Sequence, residues 1–393
     1  MTVDEAWRAY HQVVGELRAE LLGHEVAQAS TAERIHHYLA QIQAFAYHQV
    51  IAPRQQAPVI LGPTFFSVHG FRMGMQSPNF LYRAIYLDGS QRFRLFGRRG
   101  ASLFHQLLVM RGGYNDERPI QIGEYDLDGL IDAEGAFDLT VGGDGADIAL
   151  DPESGNNWLF LRECFADWDS AEHGDDMDID TVSDYSGLRL DLDDAAVAAR
   201  ILGAARLIRV LHTTAGWPRF KANNYDRTGP HVFSPLADPG AAAYNPAAHY
   251  LYAYFDLADD EALLLEADAE TGSRFWDICS CDVWGQNSEF VYHQASLTGT
   301  QARPDPDGRV RIVVSPDDPG VPNWIDTVGL TTGTLMWRYY WPETLVQPEC
   351  TVVKRADLRS HLPGGTPEVS PAERQAELRR RRRSFTRRYR HLL

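Results

Sequence analysis

The stretch DGRVRIVVSPDDPGVPNWIDT, residues 307–327, reads as a strand, a turn and a Pro-framed Asn323-Trp324. It has an earlier echo. EGAFDLTVGGDGADIALDPESGNNWLFL, residues 134–161, passes through an alternating strand, an Asp-Pro-x-x-Gly turn and a second Asn-Trp, Asn157-Trp158, in the same order. The echo continues upstream, where residues 79–110 line up with 249–283 and Leu81-Tyr82 falls on Leu251-Tyr252. The shift is 170 residues at that end and 166 at the Trp end, and a nearly fixed shift marks a repeated unit, here the size of a domain. The expectation is one β-rich construction used twice.

The chain has 393 residues, enough for two domains with separate cores. A hydrophobic share of 44% and an aromatic share of 11% place it among folded proteins rather than disordered ones. No apolar run reaches the roughly 18 to 20 residues that span a bilayer, so no membrane span is expected. The opening MTVDEAWRAYHQ lacks a basic-then-apolar export pattern. Four cysteines, Cys164, Cys279, Cys281 and Cys350, have no zinc or redox spacing and read as reduced core thiols, which together with the opening suggests the cytoplasm.

Net charge is −17, but Glu373 to Leu393 holds nine Arg and two Glu, about +7, which leaves about −24 on the remaining body. Such a body repels nucleic acid and anionic membranes. In the tail, Leu378, Phe385, Tyr389 and Leu392 form an apolar stripe on an otherwise arginine helix. The favoured reading docks it on the acidic body or on a sister subunit of a homo-oligomer; nucleic acid is the sharper alternative.

The element pattern predicts a mainly β chain with helical additions, an α+β arrangement of two jelly-roll-like antiparallel sandwiches. Residues 1–56 form a helical segment, 57–190 the first sandwich and 191–244 a connecting helix and loop; 245–358 form the second sandwich and 359–393 a linker and tail helix. Helices are expected over 4–28, 31–51 and about 193–212, and the last is expected between the two sandwiches. Strand runs separated by turns, without crossover helices, argue against a parallel sheet.

No catalytic signature is present: the chain has no His-Glu-x-x-His, no Gly-x-Ser-x-Gly elbow and no phosphate loop with its lysine. Asp176, Asp178 and Asp180, with Asp184 beyond, open like a calcium loop. Thr181 then stands where the turn needs Gly, and Gly187 where a bidentate Glu belongs. A solvated acidic connector is the plainer reading, and neither metal nor cofactor is expected. For acid–base work the candidates are Glu163, Asp167, Asp169, His212 and His293. Asp167 beside Trp168 would have its proton affinity raised by desolvation, although an Asp near a turn often caps backbone amides. His293 falls on an expected strand, Phe290 to His293, where a solvent-facing histidine is the ordinary outcome. Arg338, amid Met336-Trp337 and Tyr339-Tyr340-Trp341, suits an anion or a stacked ligand.

The sequence also resembles the bacterial family of domains of unknown function 1254 and 1214. In the first half the resemblance rests on Glu33-Arg34, Tyr38-Leu39, Asn79 to Tyr82, Gly97-Arg98-Arg99-Gly100 and Asn157-Trp158-Leu159. In the second half it rests on Phe275-Trp276, Asp307-Gly308-Arg309-Val310, Asp318 to Trp324 and Val352-Val353-Lys354. The resemblance implies jelly-roll-like sandwiches and brings no activity. The expected function is a metal-independent acid–base enzyme acting on a small, cyclic organic molecule in a cleft between the sandwiches. Asp167 and His293 would move the proton, while Tyr82, Trp324 and Arg338 would hold the ligand. The rival is a non-catalytic binding or assembly protein that oligomerises through the tail helix.

Overall fold

The computed structural model describes residues 1–23, 32–60, 72, 74–113, 119–168, 173–183, 185–188, 192–215, 226–235 and 247–389. Among the described residues, seven strands build the first sandwich: β1 (Phe80–Leu87), β2 (Phe93–Arg98), β3 (Phe104–Arg111), β4 (Ile120–Tyr125), β5 (Ala136–Val141), β6 (Asn157–Cys164) and β7 (Asp176–Thr181). They pair as β1-β6-β3-β4 and β5-β2-β7. Eight more build the second: β8 (Ala248–Asp256), β9 (Glu261–Asp268), β10 (Phe275–Cys281), β11 (Ser296–Thr298), β12 (Arg309–Ser315), β13 (Trp324–Asp326), β14 (Thr332–Tyr340) and β15 (Glu349–Lys354). Their orders are β8-β14-β10-β11 and β13-β12-β9-β15. Replacing β1, β6, β3 and β4 by β8, β14, β10 and β11 reproduces the first order. Replacing β5, β2 and β7 by β12, β9 and β15 reproduces the second, with β13 added.

The Asn-Trp pairs, however, occupy different positions in the two units. Asn157-Trp158 opens β6, an inner strand, whereas Trp324 opens β13, which lies parallel to β12 at a sheet edge. The first unit's counterpart of that parallel contact is the bridge Val141 to Ile148. The two asparagines do share a chemistry, since each side chain grips loop backbone: Asn157 bonds Asp151 and Ser154, and Asn323 bonds both the N–H and the carbonyl of Arg303. A sequence echo of loop-gripping residues therefore does not mark equivalent places.

Alternation along each inner strand supplies two cores. On β1, Ile85 and Leu87 face the sandwich interior with Leu95, Leu107, Val109, Phe137 and Leu159. Tyr82, Ala84 and Tyr86 face outward and are buried as well, because the second sandwich and the helices cover them. That outer layer joins Phe80, Phe104 and Phe160 to Phe275, Tyr340 and Met336. Leu17 and Leu21 of α1 (Val3–Gly23), Ile35, Tyr38 and Ile42 of α2 (Ala32–Ala46), and Leu207 and Ile208 of α3 (Asp194–Ala215) complete it. Phe80 stacks on Tyr340 at 5.1 Å and meets Phe275 edge-on at 5.5 Å; pairs of this kind are worth roughly 0.5–1.5 kcal/mol each beyond area. The second interior holds Leu251, Phe255, Leu263, Ile278, Ile312, Leu335 and Trp337.

Two expectations change. The acidic connector contains a strand: in β7, Ile179 and Thr181 are buried while Asp176 and Asp178 on alternate positions are exposed, a one-sided pattern that pairs with β2. The tail helix α4 (Pro371–Tyr389) docks on its own chain, one of the two favoured readings, but its buried stripe is not the expected apolar one. Arg374, Arg381 and Arg388, each seven residues from the next, are buried with Ser384, Phe385 and Tyr389. Their guanidinium groups lie 5.1 Å over Trp324, 4.5 Å over Trp168 and 3.9 Å over Trp168 respectively. Arginine is able to pack this way because its planar head stacks on rings and its donors meet carbonyls, here those of Val321, Phe290, Ser296 and Asp167.

Candidate functional site

His293 lies on a bend rather than on the expected strand. The bend exists because the Glu289 carboxylate accepts the N–H groups of Val291 and Tyr292 at 3.0 and 2.8 Å, closing the chain on itself. Gln294 then fixes the next residue to β13, its side-chain amide donating to the Trp324 carbonyl at 2.7 Å and its own carbonyl accepting the Asp326 N–H. This brings His293 Nδ1 to 2.8 Å from Asp326 Oδ2. The Asp326 side chain is 8% exposed and the His293 ring 42%. Asp326 Oδ1 accepts the Val328 N–H at 2.7 Å, and Val328 holds a φ of +55°, a left-handed conformation that a β-branched residue adopts only under constraint. A carboxylate clamped by a strained turn thus orients an accessible imidazole through one nitrogen. Among the described residues none hydrogen-bonds Nε2.

The other expected site residues are spread over three regions. Trp324 is close to the dyad through Gln294; its indole donates to Ser315 and its face carries Arg374. Asp167 sits where α4 ends, its carbonyl held by Arg388, whereas Tyr292 beside His293 meets Arg382. Six helical residues separate these contacts, about 9 Å along the axis. Tyr82 and Arg338 belong to the layer between the sandwiches. Tyr82 is buried there, its hydroxyl accepting the Ser77 N–H. Arg338 pairs with buried Asp277 at 2.9 Å and donates to the Met75 carbonyl at 2.7 Å, so its charge is met from within the chain. Asp277 also accepts from Ser77 and Asn79. Asp176, Asp178 and Asp180 lie along β7, Asp180 accepting the Tyr185 hydroxyl; Asp184 and Asp169 lie outside the described residues. His212 joins α3 to α1 through Glu20 at 3.2 Å. Cys279 and Cys281 share a strand face as expected, both buried and both within 3.6 Å of the Asn287 amide.

One cluster unites Glu163 with residues that sequence reasoning did not connect. Interior-facing positions of the three neighbouring strands β1, β6 and β3 turn polar at one end of the first sandwich, as Arg83, Glu163 and His105, and Asp175 closes that end. Arg83 Nε donates to Glu163 Oε1 at 2.8 Å and its Nη2 to the Asp175 carbonyl at 2.6 Å; the Asp175 N–H donates to Glu163 Oε2 at 2.6 Å. His105 has Asp175 Oδ1 3.0 Å from Nε2 and Asp128 Oδ1 3.2 Å from Nδ1, and neither approach is aligned as a hydrogen bond. Burial pushes Glu163 up to about 6, with Asp175 adding to the rise and Arg83 opposing it. Burial would lower His105, yet Asp175, Glu163 and Asp128 outweigh it and raise its pKa above the ordinary value. A signal for this site exists in the sequence as charged residues on the inner face of otherwise apolar strands. In the second sandwich the places of Leu81, Glu163 and His105 are taken by Leu251, Trp337 and Ile278.

Residues 255–344 match the family described as "Protein of unknown function (DUF1214)". They cover most of the second sandwich. Among solved structures the chain is similar to an uncharacterised protein from Burkholderia cenocepacia, at 24% identity over 89% of this chain and 97% of that one, with a TM-score of 0.78. That likeness shows a shared fold. A second structure, the VPA0106 protein from Vibrio parahaemolyticus, is 13% identical over 81% of this chain and 98% of that one, with a TM-score of 0.49. No curated protein matches the chain. Among the described residues no helix is long and apolar enough to cross a membrane.

Proposed function

We propose that the chain is an enzyme that moves a proton on a small organic molecule, with His293 as general base or acid and Asp326 as the residue that positions it. One observation carries this reading: an imidazole that is partly exposed on one side and held on the other by a buried carboxylate, itself fixed by a strained turn. With Nδ1–H donated to Asp326, Nε2 carries the lone pair and accepts a proton from a bound substrate; the resulting imidazolium is stabilised by Asp326. Exposed Tyr292 borders this position and supplies flat apolar surface for a ring, whereas Trp324 is buried under Arg374 and supports the strand that carries Asp326. Asp167, held by Arg388 near the C-terminal end of α4, has no part in this step. The matched strand orders support descent of both sandwiches from one copied unit. On that view the first would belong with the domain of unknown function 1254, and the dyad, built on β13, would be an addition peculiar to the second.

The test is turnover of a panel of chromogenic esters, lactones and glycosides by the wild type, His293→Ala and Asp326→Asn. We expect losses of about 10²- to 10⁴-fold on any substrate that the wild type converts, with His293→Ala the more severe. Unchanged turnover in His293→Ala overturns the reading. The assembly reading draws support from the exposed outer face of α4, which carries Arg379, Arg383 and Arg387. Exchanging Arg379 and Arg383 for Glu and measuring mass by light scattering tests it: a smaller particle favours assembly.

A further inference from the structure

The geometry points to a metal site in the first sandwich: we propose that His105, Glu163 and Asp175 bind a first-row divalent cation, zinc being the best fit. It is separate from the His293 dyad and does not rest on the function proposed for it. One ligand atom from each residue lies within 4.8 Å of the others, and all three side chains are buried. Ligands bound at about 2.0–2.1 Å in a tetrahedron stand about 3.4 Å apart, so the cluster closes on an ion with small side-chain movements.

Three observations favour an ion over a self-sufficient polar network. First, Asp175 Oδ2 and both ring nitrogens of His105 are buried without a hydrogen-bond partner, a state that native interiors rarely leave unexplained. A proton shared between His105 and the carboxylates would bring an N–H into line with an oxygen, and at 3.0 and 3.2 Å neither is in line. Second, the fixed charges are short of a cation. Arg83 offsets one of the two buried carboxylates and Arg99 offsets Asp128 at 2.7 Å, leaving the Asp175 carboxylate with no arginine ion pair among the described residues. Third, the sandwich does not need this polar end for its own sake, because Trp337 and Ile278 fill the matching places in the second unit.

The surroundings are those of a metal centre with an outer shell. Asp128 Oδ1 stands 3.2 Å from His105 Nδ1, the place of an outer-shell carboxylate once the ring turns toward the ion and brings Nδ1–H into line. Arg83 holds Glu163 from one side and the Gly100 N–H holds Asp175 Oδ1 at 2.7 Å. A Cβ on Gly174 would meet Leu81 Cδ2 at 2.5 Å, Arg83 Nη2 at 3.0 Å and Glu163 Oε2 at 3.1 Å, so a glycine is needed for the chain to pass this close to the cluster. With one imidazole, two carboxylates and no sulfur, the donor set suits zinc, manganese or iron rather than copper(I). Because Asp175 comes from the connection between β6 and β7, the ion would tie that connection to the sheet.

The experiment measures bound metal in the full chain after growth with added zinc, then titrates zinc and manganese into the chelator-stripped protein. His105→Gln, Asp175→Asn and, as a control on the solvent face of β7, Asp178→Asn are carried alongside. We expect close to one equivalent in the wild type and in Asp178→Asn, an affinity lower by roughly 100-fold or more in the other two, and a zinc-dependent rise in melting temperature that both lose. No bound metal in the wild type, or binding retained in both variants, overturns the proposal. Should the variants fail to fold, X-ray absorption of the wild-type zinc form decides: one imidazole among oxygen donors supports the site, and sulfur or several imidazoles overturn it.

Discussion

Arg83 shows how much a single side chain controls here. It is buried against Glu163 and the Asp175 carbonyl, and removing one member of a buried pair strands the other charge. Arg83→Met is expected to cost about 3–5 kcal/mol, read as a lower urea midpoint at unchanged slope. Asp282 gives a pH effect of definite sign. It is buried, its carboxylate accepts the Trp284 and Gln286 N–H groups at 2.9 Å, and burial pushes its pKa up to about 6. The folded state therefore holds a proton that the unfolded chain has lost, so this group's contribution is full below about 4 and disappears as pH rises through about 6. Asp282→Asn should match the wild type near pH 4 and be more stable than it by about 2–3 kcal/mol at pH 7.5, as thermal melts at the two values will show. His293 was named from the sequence as an ionisable residue at the end of an apolar run, Phe290 to His293, one of fourteen histidines. Asp326 could not be named, because its pairing across 33 residues is set by Gln294 and the strained turn rather than by any local spacing.

At the scale of elements, strand runs and turns were legible because apolar side chains repeat at every second position, and the long helices because theirs repeat with a helical period. β7 was hidden by its composition: carboxylates on the solvent face masked the buried residues between them. The inner face of β1, β6 and β3 was misjudged for the opposite reason. Strands buried on both sides read as uniformly apolar, so Arg83 and His105 were lost within them and Glu163, though named as a candidate, was left without its partners. α4 teaches a related lesson, since charge alone does not separate its two faces. Arg381→Met should cost about 2–4 kcal/mol, because it leaves the Phe290 and Ser296 carbonyls without their donor and uncovers Trp168. Arg383→Met, on the exposed face, should change stability by no more than about 0.5 kcal/mol. Differential scanning calorimetry of the two variants measures the contrast.

On the scale of the whole molecule, the layer between the sandwiches makes two cores dependent on a third. Phe80→Ala should cost about 3–5 kcal/mol, and by removing rings from both units' shared face it should lower a single unfolding transition rather than split it. Residues 1–190 produced alone should bind a hydrophobic dye and aggregate, because Phe80, Tyr82 and Phe104 would lack Phe275 and Tyr340. The same dependence has a direction in time. During synthesis the first half leaves the ribosome complete in its own interior yet bare on its outer side until β14 follows, an interval of roughly 10–35 s at ordinary rates of elongation. Nascent chains of this protein should accordingly be clients of holding chaperones during that interval, and slowing translation between β6 and β14 should lengthen their stay.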